Sequence, residues 1–163
     1  MVPALLGFCA PHWIKMQRVE GLPYLDTDFD AKGLAESLAA FHLASFDGHR
    51  CLCHIDNQPR NILTTQDRFW FLDFSDSRRE YPEFDLCHLF LFWASDLPGE
   101  AFAHKLESFI TAYNAYLPIR KEVWGDCLSR GIVVFDQRRN QYQKPLGKNP
   151  EQVVLQNRAA MSF

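Results

Sequence analysis

A chain of 163 residues with 47% hydrophobic and 14% aromatic content can build one domain with a sizeable core, and that composition argues against disorder. A net charge of −3 and a pI near 6.0 leave no electrostatic footprint for nucleic acid. Five cysteines, an odd number at irregular spacing, argue against a disulfide framework and for a reducing compartment.

Met1 to Ala10 is apolar but lacks the basic start of a signal peptide. No apolar run approaches the roughly 18–20 residues needed to span a bilayer, so a cytoplasmic protein without membrane contact is expected. Residues 13–20 partly alternate apolar and polar and then meet Gly21-Leu22-Pro23, which reads as a strand entering a turn. Asp28 or Asp30 can cap a helix over 31–45, where Leu34, Leu38, Phe41 and Ala44 recur at helical spacing. Residues 60–72 read as a β-hairpin around Thr65-Gln66-Asp67.

Pro82 and Glu83 suit the first turn of a helix over 83–96, apolar nearly all round and therefore buried. Its aromatic run from Phe84 to Trp93 reads as core. Further helices are expected over 100–116, stopped before Pro118, and over 119–140, with Gly131 weakening the continuity of the latter. Asn149-Pro150 reads as an N-cap with proline at the first helical position, so a short final helix follows. The basic residues of 118–150, Arg120, Lys121, Arg130, Arg138, Arg139, Lys144 and Lys148, read as a solvated surface. The fold class is α+β and predominantly helical, a single domain over 1–163, without the alternation of a parallel sheet.

Chemistry concentrates in His54-Ile55-Asp56, Asn61 and Asp73. Asp56 lies in a short polar loop bounded by Pro59, just before a strand, where a carboxylate can reach into a cleft from a rigid base. Asn61 opens one hairpin strand and Asp73 closes the other, so antiparallel pairing brings them together. An amide oxygen and a carboxylate make an all-oxygen set suited to Mg²⁺, whose remaining ligands are water and phosphate. Cys51-x-Cys53-His54, with His42 and His49, hints at zinc, but a second ligand pair is missing and both cysteines read as buried strand residues. His12, His88 and His104 show no partner pattern.

The stretch from Trp13 to Phe92 resembles the C-terminal lobe of the aminoglycoside phosphotransferase and choline kinase group within the protein-kinase-like superfamily. The matching pieces are Leu34 to His42, His54-x-Asp56-x4-Asn61-Ile62-Leu63, Leu72-Asp73-Phe74-Ser75-Asp76 and Tyr81 to Leu86. The resemblance implies a kinase-like C-lobe over 26–163 and a residual N-lobe strand and hinge over 1–25. It implies ATP and Mg²⁺, a small-molecule hydroxyl as substrate, Asp56 as catalytic base, and Asn61 and Asp73 as metal ligands. His54 and Asp85 would support the loop. Met16, Gln17 and Val19 would face adenine through the backbone, above a floor of Leu63 and Leu72. Gln58 and Arg60 stand where they can contact phosphate.

The sequence departs from the pattern upstream: no glycine-rich loop occurs in the first thirty residues, and Lys15 is the only lysine there. Two expectations follow. One is an ATP-dependent O-phosphotransferase; the other is a non-catalytic kinase-like module whose apolar face, residues 1–25 and the hairpin, is covered by a second copy or a partner protein.

Overall fold

The computed structural model describes residues 1–9, 13–66, 68–141 and 147–163. The expected positions His12, Asp67 and Lys144 lie outside the described residues. The chain forms small antiparallel sheets followed by helices. Its mixed, mainly helical composition agrees with the sequence. No described helix is long and apolar enough to cross a membrane.

The first strand pair departs from expectation. Strand β1 (Leu5–Cys9) pairs with β2 (Trp13–Met16), so the expected strand over 13–20 is shorter and has a partner that Leu-Leu-Gly-Phe-Cys did not announce. That run is continuously apolar rather than alternating, yet Leu5, Leu6 and Phe8 are exposed, Phe8 at 67%.

Strand β3 (Leu22–Pro23) pairs with β5 (Ile62–Thr65), which pairs with β6 (Arg68–Phe71) as the expected hairpin. Gly21 is required where β3 meets β5, since a Cβ there would lie 2.7 Å from the Thr64 carbonyl oxygen. Ile62 lies opposite Phe71, and Ile62, Phe69 and Phe71 face the core. Leu63 and Trp70 share the other face, and Leu72 continues that alternation.

Helix α1 (Ala31–Leu43) starts at Asp30, whose Oδ1 accepts from the Lys32 amide at 3.0 Å. Asp28 instead pairs with Lys105. Leu34, Ala35, Leu38, Ala39 and His42 form the buried stripe of α1. Strand β4 (Cys51–Cys53) pairs with β7 (Arg78–Glu80), and this clamp closes the base of everything between residues 54 and 77.

Helix α2 (Pro82–Asp96) is buried around nearly its whole circumference, as its sequence requires. Helices α3 (Gly99–Asn114), α4 (Lys121–Gln141) and α5 (Glu151–Ala159) complete the chain. Trp93 of α2 packs on Phe29 at 5.2 Å and Phe90 at 5.2 Å, and donates through Nε1 to the Tyr24 hydroxyl at 2.9 Å. This buried polar contact fixes the turn after β3 against α2. Helix α4 runs unbroken through Gly131, and the glycine lets it pass close to α2: a Cβ at 131 would lie 3.3 Å from Cys87 Cβ.

Asn149 does not cap α5. Pro150 holds the N-cap position, and Asn149 donates through Nδ2 to the carbonyls of Ala94 at 3.2 Å and Leu97 at 2.6 Å. Its side chain closes the end of α2, where carbonyls lack helical partners.

Candidate active site

Strand β4 ends at Cys53, and three of the next four residues are held by Asp85 in the first turn of α2. The amide of His54 donates to Asp85 Oδ2 at 2.8 Å, and the amide of Ile55 donates to Oδ1 at 2.7 Å. Asn57, fully buried, adds a bond from Nδ2 to Oδ1 at 2.6 Å, and His42 Nε2 lies 2.9 Å from Oδ2. Burial alone pushes the Asp85 carboxyl up, but the bond and proximity of His42, with His54, hold it down at about 2. The charge bends the loop: Ile55 sits at φ 70, a left-handed conformation that a β-branched residue avoids.

Asp56 follows that bend and turns its carboxylate toward the outside. Oδ2 accepts from Gln58 Nε2 at 2.6 Å and Asn61 Nδ2 at 2.9 Å, and Asn61 Nδ2 also reaches the Asp56 carbonyl at 3.0 Å. Asn61, buried in the 3-10 turn Pro59–Asn61, spends its amide nitrogen on Asp56, so Oδ1 is its remaining ligating atom. Leu72 donates its amide to the Asn61 carbonyl at 2.8 Å, which brings Asp73 to the mouth of the hairpin beside Asn61.

Asp73 lies at φ 57, which ends the strand alternation and leaves its carboxylate exposed. The Ser75 hydroxyl, donating to Oδ1 at 2.7 Å, is the main cause of its lowered pKa. An amide oxygen and an ionised carboxylate fit a hard divalent cation. His54 Nε2 lies 2.7 Å from the Leu72 carbonyl and its ring stands edge-on to Phe74 at 4.7 Å, so it braces the loop against the hairpin.

Arg60 is exposed at the same rim. Leu63 and Leu72 are half-buried on the outer hairpin face, which they share with Trp70, directly opposite Leu63. Met16 and Gln17 are exposed and Val19 half-buried, while the Gln17 amide donates to the Ala4 carbonyl at 2.8 Å inside the first hairpin.

The expected solvated basic surface holds at Lys121 and Lys148, which are exposed, but two of its arginines are tied into the fold. Arg120 grips buried Glu83 through Nε and Nη2, each at 2.8 Å. Arg138, near the end of α4, bonds Asp76 Oδ2 at 2.7 Å and lies 3.7 Å from Asp56 Oδ1. Helix spacing gave no sign of this return, because it is set by the crossing of α4 over α2. Asp56, Gln58, Asp76, Arg138 and Phe135 line a cavity of about 570 Å³. His88 lines it too, although no sequence pattern singled it out, and Phe92 joins the wall rather than lying wholly in the core.

His42, Cys51 and Cys53 do approach within 4.8 Å. Both ring nitrogens of His42 are engaged, by Asp85 and by the Tyr113 hydroxyl at 2.6 Å, and both cysteines are fully buried. Cys51 and Cys53 are thus the buried strand residues that the sequence reading expects.

The pattern that defines the phosphotransferase enzyme family matches residues 5–120. No curated protein matches the chain. Among solved structures, one described as a microcompartment-associated aminopropanol kinase is similar at 15% identity and a TM-score of 0.41, over 81% of this chain and 41% of that one. This chain thus spans less than half of that protein's length.

Proposed function

We propose that this chain, which belongs to the phosphotransferase enzyme family, carries the base and metal ligands of an ATP- and Mg²⁺-dependent O-phosphotransferase acting on a small-molecule hydroxyl. The observation that supports this best is the Asp56 carboxylate, pinned by Gln58 and Asn61 at the wall of a cavity large enough for a small acceptor. Asp56 takes the hydroxyl proton while the acceptor oxygen bonds the γ-phosphorus and the bond to ADP breaks, giving a phosphate ester. Asn61 Oδ1 and the Asp73 carboxylate would hold Mg²⁺, which when bound neutralises phosphate charge. Arg60 and Gln58 line the cavity beside Asp56, where they can meet the transferred group. Leu63 and Leu72 would floor the adenine, with Met16, Gln17 and Val19 at its edge.

Transfer of ³²P from γ-labelled ATP to a panel of small alcohols tests the reading. Asp56→Asn should lower transfer by about 10²–10⁴-fold with the fold intact. Equal transfer by wild type and variant removes Asp56 from the mechanism.

A second reading rests on a different observation, the exposure of Leu5, Leu6, Phe8, Met16 and Leu22 along the N-terminal strands. Isolated two-stranded sheets are marginal in water, and apolar faces of this kind are usually covered by association. In that reading the chain is a non-catalytic kinase-like module that works as a homodimer or with a partner protein. A monodisperse monomer in small-angle scattering argues against it.

A further inference from the structure

The cavity beside Asp56 is lined by a residue that carries a buried polar atom without a partner among the described residues. His88, on the second turn of α2, is only 2% exposed, and its Nε2 has no hydrogen-bond partner among the described residues. The same side chain lines the cavity. A buried polar atom left unpaired costs about 1–3 kcal/mol, so one on a residue that lines a cavity points to a ligand.

Burial pushes the His88 pKa down to about 4; Arg138 and Arg78 add to this, while Asp85 and Asp76 oppose it. The ring is therefore uncharged at neutral pH and suits a group that both donates and accepts, such as a hydroxyl. The charges around the cavity agree. Asp76 and Asp56 are both paired with Arg138, at 2.7 and 3.7 Å, so these charges offset one another and a ligand ammonium finds no free counter-charge among them. A ligand carboxylate or phosphate would face those same two carboxylates. Phe92 and Phe135 meet edge-to-face at 4.9 Å and supply an apolar wall.

We propose that the acceptor is an uncharged polyhydroxy compound, a sugar or sugar-like polyol. One hydroxyl faces Asp56, a second bonds His88 Nε2, and its carbon face lies on Phe92 and Phe135. His88 is thereby the residue that selects the acceptor. This rests on the Asp56 cavity being the acceptor site.

Ligand-observed NMR on the full chain, without nucleotide or metal, tests it with glycerol, ribose, glucose and inositol against ethanolamine and glycerate. The result expected is binding by at least one polyol and a displaced ¹⁵N resonance of His88 Nε2 in the wild-type protein. His88→Leu should weaken that polyol by about tenfold, and His88→Gln should restore most of the loss. Binding only by ethanolamine or glycerate, no binding at all, or polyol binding with an unmoved His88 resonance each overturns the proposal. The imidazole readout needs no variant, so it stands even where His88→Leu fails to fold. Nucleotide and magnesium take no part, so a negative result leaves the metal-site reading to be decided separately.

Discussion

The amide of Ile55 donates to Asp85 Oδ1 at 2.7 Å, and Ile55 is held at φ 70 immediately before Asp56. A left-handed β-branched residue costs about 1–3 kcal/mol and persists only where its surroundings hold it. Here one buried carboxylate receives two successive backbone amides, the Asn57 amide and His42, so loop shape and ion burial support each other.

Asp85→Asn replaces one acceptor oxygen by a donor facing N–H groups. It should destabilise the protein by about 3 kcal/mol or more, read by urea denaturation at neutral pH. A loss below about 1 kcal/mol would mean that the loop is held elsewhere.

Two buried groups set the acid sensitivity. Asp85 titrates at about 2 when folded and near 3.9 when unfolded, so its contribution is complete above about pH 4 and fades toward pH 2. His88 titrates at about 4 when folded and near 6.5 when unfolded. The unfolded chain therefore binds its proton first, and stability drops as pH falls from about 6.5 to 4, by about 3 kcal/mol. His88→Gln should flatten that upper window in chemical denaturation and leave the lower one in place.

Helix α4 contains two glycines with opposite expectations. A methyl group added at Gly125 would meet nothing within 4 Å, and the position is exposed, so Gly125→Ala should stabilise by about 0.5–1 kcal/mol. Gly131 lies against Cys87, and Gly131→Leu should cost about 1–3 kcal/mol through overpacking. Thermal melts of the two variants should move in opposite directions.

Arg138→Ala should change stability by less than about 1 kcal/mol, since its ion pairs are partly exposed. Transfer to the acceptor should fall by about tenfold, because the charge beside Asp56 and Asp76 is lost. Unchanged kcat/KM would place Arg138 outside the reaction.

Local chemistry made part of this legible in sequence. The Asp30 cap, the hairpin around Gln66 and the all-apolar α2 each follow from residue type and spacing. The order of His54, Asp56, Asn61 and Asp73 carried the family. What escaped depends on contacts across the chain. Asn149 has the composition of an N-cap, but the orphan carbonyls of α2 claim its side chain. Arg138 reaches Asp56's cavity because α4 crosses α2 near Gly131, and His88 lines it from α2 itself. The strand β1 was hidden because its apolar residues do not alternate, and exposed apolar side chains give no inward face to detect.

Calorimetric titration of ATP with and without Mg²⁺ into the wild-type chain and Asp73→Asn bears most directly on the site. The expected result is magnesium-dependent heat in the wild type and at least about tenfold weaker binding in the variant. Absence of heat in both, or equal binding in both, would contradict a metal–nucleotide site built on Asn61 and Asp73.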